Sequence, residues 1–186
     1  LARIHAPAYA NMAAFNKMVR LIIYGDDNIV SISEEIIDWF NMESIKEAFA
    51  TYLNMTYTNP QKTSEIVLKK DLSQVSFLKR SFRRPTVDGY TYPMYVCPAD
   101  IESRLEMLNW TRTGNLVNPK EIEADIVSEV FKELAMHGSD VYNEYVPKIT
   151  KLALSNGLRN FYDLGCETYI ESVVKNIPLK MHPNDF

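Results

Sequence analysis

Residues 21–32 read LIIYGDDNIVSI, two runs of strand-forming residues separated by a glycine and two adjacent aspartates. Neighbouring carboxylates repel each other, and in a tight turn between buried strands neither can move far into water. Such a pair calls for a neutralising partner, and a hard divalent cation, which prefers carboxylate oxygens, suits it. Asp26 and Asp27 are therefore the first candidate metal ligands. Gly-Asp pairs are also ordinary turn residues, so a solvated hairpin tip without chemistry is the competing reading.

The second chemical signal is a basic band. Residues 62–84 hold seven basic side chains (Lys62, Lys69, Lys70, Lys79, Arg80, Arg83, Arg84) against Glu65 and Asp71, whereas residues 99–147 hold ten acidic and four basic ones. The overall charge of −4 hides this division. A basic band beside an acidic helical region suits a groove for a polyanion, although an ordinary mixed surface has the same composition. Cys97 and Cys166 lack metal-ligand spacing and read as buried free thiols, while His5, His137 and His182 are scattered without partners.

The elements that must position these residues follow from periodicity. Tyr9, Met12, Phe15 and Met18 recur at helical steps, after which residues 21–24 and 28–32 read as the two strands of a hairpin with the aspartates at its tip. Ile36, Ile37, Phe40, Ile45, Phe49 and Leu53 predict a helical segment in two pieces meeting near Asn41, and Asn59-Pro60 marks a turn. Residues 75–82 (VSFLKRSF) and 91–96 (TYPMYV) read as strands around a turn at 85–89, the second kept irregular or at an edge by Pro93. Beyond Pro98 the pattern is helical. Asp100 caps one helix, Asn118-Pro119 opens a second bearing Ile122, Ile126, Val130 and Leu134 and stopping at Gly138, and others start at Ser139 and near Cys166. Trp110 lies in this helical pattern and reads as core.

With 186 residues, 46% hydrophobic and 24% charged, the chain has a globular composition and can bury a sizeable core. No apolar run approaches the roughly 20 residues of a membrane-spanning helix, and the N-terminal residues lack a signal-peptide layout. A cytosolic protein is expected. The start at Leu1, within a helix-like stretch, reads as a piece of a longer protein. The fold class expected is α+β.

An apolar strand, YGDDN, a second strand and then FLKR at residues 77–80 together resemble the viral RNA-dependent RNA polymerases of the picornavirus-like group, dicistroviruses included. YGDDN is similar to the family's motif C, MTYTNPQK at residues 55–62 to motif D, and FLKRSFRR to motif E, the primer grip. Asn109, Trp110, Thr111 and Arg112 resemble a Trp-Thr-Lys or Trp-Thr-Arg sequence of the family's helical thumb. The resemblance implies an incomplete right-hand polymerase fold, with residues 1–96 as the C-terminal part of the palm and 97–186 as the thumb. Motifs A and B, with the fingers, are expected upstream of Leu1.

It also implies template-directed nucleotidyl transfer. The primer 3′-hydroxyl attacks the α-phosphorus of a nucleoside triphosphate, with two magnesium ions about 3.5–4 Å apart serving the attacking and leaving oxygens. Manganese is the alternative metal. By resemblance Asp26 is the principal ligand, Asp27 the weaker one, and Lys62 the residue facing the departing pyrophosphate, as a proton donor or as a fixed charge. Lys79 is the expected primer contact, with Arg80 and Arg83 beside it, and Tyr24, Gly25 and Asn28 support the turn. Asn28 stands where many relatives carry valine, and a turn-closing hydrogen bond is its expected role. If residues 77–80 form one strand, Phe77 and Lys79 face one way, Leu78 and Arg80 the other.

The partners implied are RNA template and primer, nucleoside triphosphates, the missing fingers and palm, and other viral replication proteins in a membrane-associated complex of the host cytoplasm. The 186 residues alone are expected to be inactive. A reverse transcriptase also places two aspartates after a tyrosine in a hairpin, and a non-enzymatic helical module binding RNA or protein is the reading from another class.

Overall fold

The computed structural model describes residues 10–60, 62–63, 65–67, 69–110 and 118–176. His5, His182, Thr111 and Arg112 lie outside them. The described residues pack as two compact units that divide between Asp71 and Leu72. The sequence had placed a boundary near residue 96.

In the first unit Asn11 caps helix α1 (Met12–Met18) by accepting the Ala14 N–H at 2.8 Å. The chain leaves α1 directly into strand β1 (Val19–Tyr24), which pairs antiparallel with β2 (Asp27–Ile32) from Val19 opposite Ile32 to Tyr24 opposite Asp27. Met18, Val19 and Ile36 form a small buried cluster, with Val30, Ile32, Trp39 and Phe40 against it. Phe40 takes Phe15 and Trp39 edge-on, at ring separations of 6.3 and 6.1 Å. The hairpin's apolar packing is thus confined to its base. An isolated two-stranded ribbon is marginal in water, so this cluster is what orders it.

Toward the tip the strands are not buried as the apolar run had suggested. Val19 is 5% exposed, yet Leu21, Ile22, Ile23 and Tyr24 are all exposed, Tyr24 at 69%. The run supplies strand propensity, but β1 pairs with β2 alone in this sheet, and the packed cluster ends near the hairpin base.

Residues 34–39 form turns rather than the first helical piece expected, and helix α2 (Met42–Leu53) begins after Asn41. Asn41 is buried and satisfied on every side. Its Oδ1 accepts from the Glu43 and Ser44 N–H groups, its Nδ2 donates to the Ile37 and Asp38 carbonyls, and its own N–H donates to Ser44 Oγ. This capping box fixes the junction the sequence had located.

The second unit starts with two short antiparallel strand pairings, β3 (Ser76–Phe77) with β4 (Arg80–Ser81) and β5 (Thr86–Val87) with β6 (Tyr90–Thr91), and two single bridges, from Arg80 to Ala99 and from Arg83 to Val96. Helix α3 (Ile101–Glu106) is capped by Asp100, followed by α4 (Pro119–Met136), α5 (Ser139–Ser155) and α6 (Cys166–Asn176). Asn118 caps α4 through the Lys120 N–H, with Pro119 at the first helical position.

The core lies among the last three helices. Val130, Phe131, Leu134 and Ala135 of α4 are fully shielded and meet Tyr142, Val146 and Ile149 of α5 and Tyr169, Ile170 and Val174 of α6. The buried stripe of α4 therefore runs through Val127, Val130, Phe131 and Leu134. Ile122 and Ile126, which the four-residue spacing had placed on it, lie half-buried at its margin. Cys97 and Cys166 are free thiols and half-buried, and burial pushes both thiols up in pKa. Trp110, expected in the core, is 71% exposed because the helical pattern stops at the short 3-10 turn Met107–Asn109. No helix among the described residues is long and apolar enough to cross a membrane.

The buried hydroxyl of Tyr142 donates to the Asp163 carboxylate, whose Oδ1 also accepts the Gly165 N–H at 3.0 Å. Burial, then the Asp163 bond and charge, push the Tyr142 pKa well above its ordinary 10.0. The folded state thus prefers the neutral phenol, and its contribution is complete below pH 10 and lost as pH rises beyond it. Urea titrations from pH 8 to 11 should show stability falling above pH 10. In Tyr142→Phe that fall should shrink, with stability at neutral pH lower by about 1 kcal/mol.

Candidate active site

The first candidate site is the end of the β1–β2 hairpin. Tyr24 and Asp27 face each other as the last pair, so the reversal consists of Gly25 and Asp26 alone. Gly25 has φ +62°, whereas Asp26 is not among the residues with positive φ. Positive φ at the first central position only is the type II′ pattern, which matches the twist of antiparallel strands and demands glycine there. Turn chemistry therefore requires this order, glycine and then aspartate.

Asp26 projects from the turn itself and Asp27 is the first residue of β2, with its side chain on the Tyr24 face. Both are exposed, and among the described residues neither carboxylate has an ion-pair partner. The expectation that they could not escape into water is corrected by the exposed strands beneath them. Two adjacent oxygen donors on a short turn fit magnesium, which binds through one or two carboxylates and completes its shell with water and phosphate oxygens. No cluster of three His, Cys, Asp or Glu side chains occurs among the described residues.

Asn28 lies one residue on, on the opposite face of β2. Its Nδ2 reaches the Asp26 carbonyl at a long 3.5 Å, the turn-closing contact expected, while its Oδ1 accepts a much shorter 2.8 Å bond from the Tyr57 hydroxyl. Tyr57 packs its ring 5.2 Å from that of Phe49 on α2. Asn54 ends α2 in the left-handed conformation, and of the described residues 51–63 only Tyr57 and Asn59 are shielded from water. Asn59 folds the following loop around itself: its Nδ2 donates to Thr63 Oγ1 and the Glu65 carbonyl, and its Oδ1 accepts the Thr63 N–H. Lys62 sits on this fold, exposed, at φ +54°, with its N–H donated to the Asn59 carbonyl at 2.9 Å.

In the second unit FLKR is not one strand. Phe77 pairs with Arg80, and Leu78 and Lys79 are the two central residues of a hairpin, both left-handed at φ +51° and +59°. Phe77 and Arg80 consequently share a face, and Leu78 and Lys79 occupy the tip, contrary to the alternation a continuous strand would impose. This type I′ geometry is ordinarily filled by Asn-Gly, and each non-glycine residue there costs about 1 kcal/mol or more. Lys79 is exposed, and its carbonyl accepts the Asp100 N–H at 3.3 Å.

The neighbouring arginines are differently engaged. Arg80 donates to the Cys97 carbonyl at 2.6 Å and to Glu133 at 3.0 and 3.4 Å. Glu133 also accepts the Ala99 N–H, and His137, one turn along α4, meets the Ala99 carbonyl at 2.7 Å, which makes its Nε2 the protonated nitrogen. Arg83 lies against Gly138: a Cβ there would stand 2.8 Å from Arg83 Nη1, so the glycine gives the guanidinium room between α4 and α5. Arg84 lies 5.2 Å from the centroid of the Tyr95 ring. Tyr57 and Glu133 escaped the sequence because their partners are 29 and 53 residues away, beyond any local period, whereas the partners of Asn59 are local, 4 and 6 residues on. For Asn59 the Asn-Pro turn signal was visible, its hub role was not.

A family model described as viral RNA-dependent RNA polymerase matches residues 1–154. The chain is 37% identical over 139 residues to the replicase polyprotein of Drosophila C virus, covering 74% of this chain and 7% of that protein. It is 35% identical over 154 residues to the replicase polyprotein of Cricket paralysis virus, covering 83% and 8%. The chain thus spans under a tenth of the length of these relatives. Among solved structures, the Sicinivirus 3Dpol RNA dependent RNA polymerase superposes with a TM-score of 0.59 at 18% identity, over 86% of this chain and 31% of that one. That likeness is one of fold.

The left-handed pair at the second hairpin generates a direct expectation. Replacing Leu78-Lys79 by Asn-Gly should stabilise the chain by about 1–2 kcal/mol, because it removes steric strain and no buried contact of Lys79. Thermal unfolding would show a Tm higher by a few degrees. An unchanged or lower Tm would mean the turn is not strained.

Proposed function

The chain belongs to the viral RNA-dependent RNA polymerase family, and from that premise we propose that it supplies the metal-binding turn and the primer-holding hairpin of an RNA-directed RNA polymerase. The observation that carries the proposal is the Gly25-Asp26 reversal, which holds two carboxylates side by side at the end of a registered hairpin. In this reading residues 10–71 belong to the palm, and the helices from α4 onward to the thumb.

Asp26 and Asp27 would hold the divalent cations, magnesium or manganese. Bound there, such ions supply Lewis acidity that makes the primer hydroxyl a better nucleophile and stabilises charge on the leaving oxygens. The protein's own share is positional. The type II′ backbone fixes Asp26 through its main chain, and pairing with Tyr24 fixes the start of β2 and so Asp27. Lys62 offers a cation to the triphosphate or departing pyrophosphate.

Lys79 is the proposed primer contact, since a tip lysine can meet a backbone phosphate without reading a base. The guanidinium of Arg80, spent on Glu133 and Cys97, supports a different share for it: holding the hairpin onto α4 rather than gripping RNA. Arg83 contributes charge from its place beside Gly138. Template and primer RNA, nucleoside triphosphates and further polymerase segments carrying the remaining ligands complete the reaction, in a replication complex of the host cytoplasm. The 186 residues alone should not extend a primer.

The test is primer extension by the polymerase polypeptide that contains this sequence, with and without Asp26→Ala. Loss of several kcal/mol of transition-state stabilisation lowers the rate by about 10³-fold or more. Retained extension with magnesium would sink the reading and favour a module in which the acids only make a turn. Lys79→Ala should raise the primer concentration needed and make the loss of binding with salt shallower, by about one unit of slope in log K against log salt.

A further inference from the structure

The loop bearing Lys62 has few means of keeping its place. Residues 54–56, 58, 60, 62 and 63 are all exposed, so packing does not hold them. Among the described residues of the loop two shielded side chains remain, Tyr57 and Asn59. Asn59 organises the loop internally, through Thr63 and Glu65, and thereby sets its shape. Its position relative to the aspartate turn is another matter, because none of these three bonds leaves the loop.

Met55 and the Tyr57 ring anchor its start to Phe49 of α2, and the side-chain hydrogen bond that ties it to the aspartate hairpin is the Tyr57 hydroxyl on Asn28 Oδ1, at 2.8 Å. Asn28 follows Asp27 directly and reaches back to the Asp26 carbonyl, so this one bond joins the carboxylate turn to a point two residues before Asn59. Phe49 fixes the Tyr57 ring from behind. Burial raises the Tyr57 pKa, so the hydroxyl remains a donor through the neutral range.

We infer that Tyr57 and Asn28 form a positioning pair that sets the distance between the Asp26–Asp27 turn and the Lys62 loop, so that the lysine meets phosphate oxygens where the carboxylates gather them. This rests on the polymerase reading of both groups. Neither residue touches substrate. Each acts through Lys62, and this gives a signature that a merely structural role lacks.

Single-nucleotide addition should be measured in the same polymerase polypeptide for Tyr57→Phe, Asn28→Val and their double variant. Tyr57→Phe removes one oxygen and keeps the ring on Phe49, so it preserves folding even if Asn28→Val does not. Each single change should lower the maximal rate about tenfold while the nucleotide concentration for half-maximal rate stays within about twofold, as expected for a misplaced group acting late in the reaction. The double variant should be no slower than the slower single one. In a Lys62→Ala background Tyr57→Phe should have no further effect.

Unchanged rates, losses that multiply, or an undiminished effect without Lys62 would overturn the pairing. Amide exchange on the chain itself separates this from the fate of the polymerase reading. Tyr57→Phe should speed exchange at the hairpin amides flanking Asn28 and at the Met55 amide bonded to the Phe49 carbonyl, while leaving α4 to α6, and the Lys62 and Thr63 amides that Asn59 holds within the loop, as they were. Equal protection in both proteins would refute the tie, whatever Asp26→Ala does to extension.

Discussion

A two-residue reversal between antiparallel strands determines more of this molecule's chemistry than any buried contact. Its geometry leaves the flanking pair face to face and sends the two central residues out at the end of the ribbon. At Gly25-Asp26 the charged central residue is an acid, at Leu78-Lys79 a base. Backbone dihedrals, not surrounding side chains, aim both groups, so each can be fully solvated and still be held in place. The two turns meet the same demand differently. The first uses glycine where φ is positive and stores nothing, whereas the second places leucine and lysine there and stores strain.

Stored strain needs an opposing hold, and the second unit provides one. The flanks of the Leu78-Lys79 turn are tied to residues 97–100 by the Ser81 N–H on the Pro98 carbonyl, the Asp100 N–H on the Lys79 carbonyl and the Arg80 bridge to Glu133 and Cys97. Arg80 and Glu133 are partly and largely shielded, with side chains 37% and 14% exposed. Desolvating such a pair offsets much of its attraction, so its worth lies less in net stability than in the cost of breaking it. Losing Glu133 would leave the guanidinium with the Cys97 carbonyl alone and orphan the Ala99 N–H.

The legible part of the fold was whatever local pattern encodes. Caps at Asp100 and Asn118, the break near Asn41, the stop at Gly138 and the hairpin about the aspartates all follow from residue types within four positions of one another. The aspartate site was legible for the same reason, since its geometry is a turn. What was not legible depends on partners distant in sequence. Leu21 to Tyr24 look like a buried strand because propensity and burial draw on the same residues, and only the extent of the packed cluster separates the two. FLKR looks like a strand because leucine and lysine carry no turn signal; the left-handed pair exists through tertiary ties that override local preference. Arg80 looked like a free cation because its acid lies on a helix that no pattern near residue 80 announces.

Asn28 joins these two kinds of information. From the sequence alone it is a polar residue opening a strand, where an apolar residue would serve propensity better, and a local bond to the turn is the economical explanation. The long contact to the Asp26 carbonyl is weak by its distance, and the shorter bond to Tyr57 identifies the stronger constraint. A half-buried amide oxygen beside Ile23 and Val30 would cost stability if left unpaired, so Asn28 requires Tyr57, and a chain with valine at that position would require no hydroxyl. The two residues are therefore best understood as one choice. Asparagine with tyrosine, or two apolar residues, satisfies the strand face, and a single substitution satisfies neither.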